Sequence, residues 1–197
     1  MAYTRTNIAA STAAVTNRFV TTTNMKVGAY TVVNSGVAAH GAGFIVTATI
    51  TAVTGNDTAG TLVVVGKNLA GQAVTETITL TAGSGGTGTQ IFKSITSVTG
   101  AGWVINTGND TIVVGHAADA YVMGSSGELF AVAVNATTAT SIALADSAGT
   151  IGTLKASIAE GIYYYRVNVS GYLKVTHAGT SDITVIHSSS IPTYATT

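Results

Sequence analysis

Apolar and polar residues alternate along most of this chain. In GFIVTATITAV, Phe44, Val46, Ala48, Ile50 and Ala52 fall on one side of an extended backbone, and Ile45, Thr47, Thr49, Thr51 and Val53 on the other. Period-two alternation rich in β-branched residues is the pattern of a strand with one buried face. AVTETITLT repeats it: Val74, Glu76, Ile78 and Leu80 share a face, opposite a ladder of Thr75, Thr77, Thr79 and Thr81. Between these stretches lie TLVVVG and KNLAGQ, in which Asn68 and Gly71 supply the bend of a hairpin. Further strands are expected at Gln90–Thr99, Trp103–Asn106 and Thr111–Gly115. Only Asn7–Val15 has a pattern that could form a short helix.

The pattern breaks at HAADAYVMGSSGE, where small residues and Gly127 mark a boundary. A second set of strands follows: LFAVAVN, TSIALAD, TLKASI, IYYYRVNV, YLKVTH and DITVIH. The expected fold is all-β, with two antiparallel β-sandwich domains and an extended N-terminal arm. Its parts are an arm at 1–17, a domain at 18–119, a linker at 120–127 and a smaller domain with a C-terminal tail at 128–197.

Two short sequences recur. TGNDT occupies Thr54–Thr58 and Thr107–Thr111, and ITxVTG occupies Ile50–Gly55 and Ile95–Gly100. The two pairs do not share a register, so the chain is not a solenoid of fixed period. Asn56 with Asp57, and Asn109 with Asp110, could offer oxygens to calcium. Each copy supplies one carboxylate, however, and Ca²⁺ takes about six to eight oxygens with several carboxylates among them. TGNDT therefore reads as a turn.

Composition changes the picture in one respect. Only 8% of residues are charged, eight basic and eight acidic, and net charge is zero. An average soluble domain has roughly 25%. Polarity comes instead from Gly, Ser, Asn and Thr, with Thr at about 35 positions. Neutrality gives no electrostatic footprint for nucleic acid or for an anionic membrane surface. No run is long and apolar enough for a membrane-spanning helix, and the first residues hold no apolar stretch of secretory-signal length. Without a signal, the N-x-S/T sequons at Asn56, Asn109, Asn135 and Asn168 read as by-products of Thr and Ser abundance. Absence of cysteine excludes disulfides and thiolate metal sites. A surface so poor in charge suits a chain whose faces are covered by neighbours.

No constellation of catalytic residues emerges. Gly83–Gly88 spells G-x-G-x-x-G, but TQIFKSITSV after it is a strand pattern, where a dinucleotide site needs a helix. Gly60 to Asn68 has P-loop letters at the wrong spacing, inside a strand. His116 and Asp119 form a weak metal pair. His40, His116, His177 and His187 are expected at the surface, with no third ligand. Glu76, Glu128, Asp146 and Glu160 are the carboxylates available for glycoside hydrolysis, and nothing pairs them. GSSG at Gly124–Gly127 reads as a linker. Tyr163, Tyr164 and Tyr165 form the densest aromatic cluster; in a strand the first and third face one way and the second the other. Trp103 is expected in the core.

One stretch carries a resemblance. GNDTAGTLVVVGKNLAGQAVTETITL followed by IFKSITSVTG resembles small all-β virion structural proteins of tailed bacteriophages, over about Ile45–Gly115. Gly55, Asn56, Asp57, Gly66, Asn68, Gly71, Ala73, Val74, Thr75, Glu76, Thr77, Ile78, Phe92, Ile95, Thr96 and Val98 fall on the pattern. The segment LFAVAVNATT…YYYRVNVSGYLKVTHAGTSDITVIH is similar to a second β module of such proteins. The resemblance implies a virion part with no active site.

The expectation is a non-enzymatic capsid decoration, or cement, protein without cofactor. Its partner would be the major capsid protein, and its location the virion, assembled in the host bacterial cytoplasm. The family further implies a homo-oligomer, a trimer at local threefold axes. Tyr3, Arg5, Arg18, Tyr163, Tyr164 and Tyr165 are the candidate interface residues. A neck, tail or fibre component is the alternative within the particle. Outside it stand a Thr-rich ice-binding protein, suggested by Thr-x-Thr ladders, and a glycan depolymerase.

Overall fold

The computed structural model describes residues 2–9, 11–37, 41–51, 57–105, 108–136, 140–179 and 182–190. The described residues form strands and one short 3-10 turn at Met25–Val27. In chain order the strands are β1 (Thr4–Ile8), β2 (Val15–Asn24), β3 (Ala29–Tyr30), β4 (Phe44–Thr51), β5 (Thr61–Lys67) and β6 (Ala73–Thr79). Next come β7 (Gly86–Phe92), β8 (Ser94–Ala101), β9 (Thr111–His116), β10 (Ala120–Met123) and β11 (Gly127–Ala136). The last five are β12 (Ile142–Asp146), β13 (Gly149–Leu154), β14 (Gly161–Val169), β15 (Leu173–Thr176) and β16 (Asp182–Ser188). They make four antiparallel four-stranded sheets in two compact units.

One unit takes residues 14–37 and 43–118, with sheets ordered β2-β9-β4-β7 and β3-β8-β5-β6. The alternation seen in the sequence sets its core. Phe44, Val46, Ala48 and Ile50 of β4 are buried, and so are Leu62 and Val64 of β5. They pack with Phe19, Phe92, Ile95, Val98, Ile112 and Val114. Trp103 is half-buried against this cluster. The β5–β6 hairpin turns where expected: Asn68 Oδ1 accepts the backbone N–H of Ala70 and of Gln72, each at 3.0 Å, and Gly71 has φ +78°. Of the strand expected at Trp103–Asn106, Asn106 lies outside the described residues, and among 103–105 Val104 makes an isolated bridge to Thr58.

The other unit takes residues 1–13, 38–42 and 119–197, with sheets ordered β1-β16-β11-β14 and β10-β15-β12-β13. Its core includes Ile8, Leu129, Val132, Ile142, Leu144, Leu173, Val175, Ile183 and Val185. A sequence boundary near Asp119 coincides with the start of this unit's main part.

Two segments differ from expectation. Residues 4–8, expected within a free arm or a short helix, form β1, which pairs with β16 from Thr4↔His187 to Ile8↔Ile183. Ile8 is fully buried and Thr6 nearly so. Thr12 continues the attachment: its N–H donates to the His177 carbonyl at 2.9 Å, and its hydroxyl accepts the His177 N–H at 2.9 Å. Residues 120–123, expected within a linker, form β10, whose residues are all buried. Gly127 likewise opens β11 and is buried; a Cβ there would lie 2.0 Å from the Ser188 carbonyl oxygen. Small residues mark close packing here as well as turns.

The histidines correct a further expectation. His116, His177 and His187 are 2%, 2% and 5% exposed, not surface residues. His40 lies outside the described residues. His116 and His187 stand on inward positions of β9 and β16, His177 directly follows β15, and each ring keeps a polar contact. His116 Nδ1 meets the Ala117 carbonyl at 2.8 Å, His177 Nδ1 the Gly179 carbonyl at 3.2 Å, and His187 Nε2 the Thr6 hydroxyl at 3.1 Å. Burial pushes all three pKa values down. The folded protein then resists protonation, whereas the unfolded chain takes up protons below about pH 6.5. The stability these histidines contribute is therefore whole above that pH and is lost as pH falls through it. The melting temperature should hold between pH 8 and 7 and drop between about pH 6.5 and 5. A flat profile over that range would contradict the burial of these rings.

Candidate interaction surface

The outer face of the β1-β16-β11-β14 sheet brings together three aromatic side chains, Tyr3, Phe130 and Tyr164, and two arginines, Arg5 and Arg166. Register explains why. Arg5, Ile186, Ala131 and Tyr164 lie in one row across the four strands, and Asn7, Thr184, Ala133 and Ile162 in the next. The opposite parity, with Ile8, Val132, Ile183 and Val185, fills the core. Tyr163 and Tyr165 share that inward parity and pack against it. The alternation expected for the tyrosine triplet is what the structure shows.

Tyr3 and Phe130 complete the face. Their rings lie 4.7 Å apart, and Phe130 meets Tyr164 edge-on at 5.5 Å. Arg166 places its guanidinium 5.2 Å from the Phe130 ring centre and 6.0 Å from that of Tyr164, in cation–π range. Two irregularities produce this arrangement. β11 carries an extra residue opposite β16 at Phe130, and β14 shifts register opposite the same residue. Arg166 has φ +52°, a conformation costly for a residue with a side chain. Bulges of this kind re-aim side chains. Tyr164 is 63% exposed, Ile162 55% and Tyr3 41%. The Tyr3 hydroxyl donates to Glu128 Oε2 at 3.0 Å, which supplies a buried carboxylate with a partner.

Three candidates from the sequence, Tyr3, Arg5 and Tyr164, thus share one face. Tyr163 and Tyr165 point to the other side of the same sheet. Arg18 belongs to the other unit, where its Nε donates to the Gly36 carbonyl at 3.0 Å. Sequence reasoning missed Phe130 and Arg166. Their signal was faint: Arg166 follows the tyrosines at the same parity as Tyr164, but bulges are invisible to periodicity.

The other motifs resolve into structure. Asp110 and Asp57 of the TGNDT copies are buried. The Asp110 carbonyl accepts the Met25 N–H at 3.0 Å, and Asn109 Oδ1 accepts from Asn24 Nδ2 at 3.1 Å. Asn109 and Asp110 of the second copy dock on the end of β2, and its Thr107 lies outside the described residues. Residues 54–56 of the first lie outside the described residues. Of glycine-rich 83–88, expected as a loop, Gly86–Gly88 already belong to β7, and the single strand expected at Gln90–Thr99 divides at Lys93 between β7 and β8 of different sheets. Asp146 caps a turn: its carboxylate accepts the N–H groups of Ser170, Ala148 and Gly149, which hold its pKa down, Ser170 foremost. Asp119 is engaged by Lys174 at 2.7 Å and by the Thr176 hydroxyl. Among the described residues no three His, Cys, Asp or Glu side chains are grouped as a metal site.

Glu76 has a role that sequence reasoning missed. It sits on the inward face of β6, less than a tenth exposed. Its Oε1 accepts the backbone N–H groups of Thr89 and Gln90 and the Thr89 hydroxyl, so it bridges the unit's two sheets at β6 and β7. A Cβ on Gly88 would lie 2.3 Å from Oε2. Gly88 is there to admit the carboxylate.

No family model, curated protein or solved structure matches this chain.

Proposed function

We propose that this chain is a non-enzymatic structural protein of a tailed-bacteriophage virion, and within that class a capsid decoration protein. Its two units are read as two antiparallel β-sandwich domains, each pair of sheets enclosing one apolar cluster. The observation that carries the reading is the outer face built by Tyr3, Arg5, Phe130, Tyr164 and Arg166. Tyrosine and arginine dominate the energetics of protein interfaces, because each covers a large area and still hydrogen-bonds at its tip. A face of this composition, on a chain with 8% charged residues, suits a lasting contact with another protein. Supporting it is the likeness of Ile45–Gly115 to virion proteins.

The proposed partner is the major capsid protein, with the chain as a homo-oligomer, trimeric by analogy with the family. Binding would add cement between shell subunits, contributed by burial of the aromatic face. Thr4–Ile8 complete a sheet of their own unit, so contact with the shell is assigned to this face and not to a free arm. A neck, tail or fibre position uses the same surface and differs in copy number.

The test is co-sedimentation of the purified chain with capsid shells that lack it. The wild type should bind, and Tyr164→Ser with Arg166→Gln should weaken binding by about a hundredfold, the effect of losing two interface anchors. Both side chains are exposed, so the variants should fold. Failure of the wild type to bind would remove the decoration reading.

A further inference from the structure

The free edge of β14 differs from every other sheet edge in the described residues. Exposed edges invite pairing with another chain, and proteins blunt them by shortness, bulges, charge or cover. β3 has two residues, β10 four and β1 five, with the charged Arg5 as its second residue. β13 holds Gly149 and Gly152. β2 breaks register twice, and β7 breaks it where Glu76 takes its N–H groups. β6 exposes Thr75, Thr77 and Thr79. β14 runs nine residues; it breaks register once, opposite Phe130 and beyond Tyr164, and its stretch 161–165 contains neither charge nor proline. It also carries Ile162 and Tyr164, the two large apolar side chains exposed on one face of one strand.

We infer that β14 pairs antiparallel with β14 of a second copy about a two-fold axis at Tyr163. The argument is self-complementarity. In that register Ile162 of each chain lies opposite Tyr164 of the other, on the exposed face, and such cross-strand apolar pairs stabilise a sheet. One step further out, Glu160 of each chain meets Arg166 of the other. Both are exposed, and neither makes an ion pair in the structure. Arg166 sits at the bulge, where the strand leaves the flat stretch, so the ladder ends at the residue whose charge closes it. Its guanidinium carbon lies 5.2 Å from the Phe130 ring centre, a contact that uses the cation's face and leaves N–H groups for a carboxylate. A two-fold contact repeats every interaction twice.

The pairing joins the aromatic faces of two copies into one continuous surface. It is compatible with a trimer, which it would link into pairs. The complex should therefore contain an even number of chains. A ladder this short buries less than the roughly 1,200 Å² of a stable interface, so association should fall in the micromolar range.

Sedimentation at about 10–100 µM should show a dimer or another even assembly. Arg166→Glu alone and Glu160→Arg alone should each weaken association by about tenfold, because like charges then face each other twice. The double swap should restore it to within about threefold. Register is checked separately. The chain has no cysteine, so Ile162→Cys chains mixed with Tyr164→Cys chains should form mixed disulfides, the opposed Cα atoms lying about 5 Å apart. Each alone should not crosslink. A monomer, a bare trimer, a double swap that stays weak, or absence of the mixed disulfide would each overturn the inference. Circular dichroism of every variant guards against misfolding, and capsid binding is not part of the readout.

Discussion

Deleting residues 2–13 should unfold the unit that contains residues 119–197. The deletion removes β1 from the edge of its sheet and strips Ile8 from the core. It leaves the buried His187 ring without the Thr6 hydroxyl and the His177 carbonyl without Thr12. Loss of one fully buried isoleucine side chain costs about 2–5 kcal/mol. Buried polar groups left without partners add about 1–3 kcal/mol each. Together these rival the whole stability of a domain, about 5–15 kcal/mol. Thermal melting should show loss of one transition, with the transition of the unit formed by residues 14–37 and 43–118 retained. If the truncated chain keeps both transitions, the placement of β1 is wrong. Ile8→Ala offers a milder version, expected to lower the same transition alone.

Replacing Glu76 should produce the second large effect, in the other unit. Glu76→Ala removes the carboxylate that accepts two backbone N–H groups and a hydroxyl on β7, at Thr89 and Gln90, which are partly open to water. Losing hydrogen bonds to a charged acceptor at this partly buried site costs about 1.5–3 kcal/mol. Glu76→Gln keeps one acceptor oxygen and the shape of the side chain, so it should cost less than half as much. Gly88→Ala should also destabilise, because its methyl meets the carboxylate. In the Glu76→Ala background the methyl finds space, so the two substitutions should be strongly non-additive. Urea unfolding of the four chains measures that coupling. Additive costs would mean that Gly88 serves another purpose than admitting Glu76.

These two effects show where the sequence was legible. Strands with one buried face announce themselves: β4 and β6 each follow an alternating stretch, β5, β11, β14 and β16 follow short runs rich in β-branched and aromatic residues, and Phe44, Val46 and Ile50 were placed on the correct side. Hairpin chemistry at Asn68 and Gly71 was equally readable. The missed elements have a common cause. TRTNI in β1 and VTNRFVTTTN in β2 are polar at most positions, and β1 gains its partner, β16, from the far end of the chain. AYVM in β10 is buried on both faces, so it has no alternation to detect. Pairing across such distance, and burial on two sides, leave little trace in local periodicity.

The candidate surface was half legible. Tyr3, Arg5 and Tyr164 could be named as interface types, but their meeting depends on β1 lying two strands from β11 in the same sheet. Phe130 and Arg166 depend on bulges. Buried histidines were misjudged because a lone histidine beside a strand end has the same sequence pattern whether it faces water or core. Glu76 could have been found: a carboxylate amid Val74, Ile78 and Leu80 on an inward face needs donors, and the glycine-rich 83–88 was the nearest supply of unhindered backbone.

The proposed function turns on how many chains a shell holds. The direct measurement is the stoichiometry of the wild-type chain at saturation on capsid shells that lack it. The decoration reading requires hundreds of copies per shell, and loss of that binding when Tyr164 and Arg166 are replaced. A few to a few dozen copies would place the chain at a neck, tail or fibre, and no binding at all would contradict a capsid role.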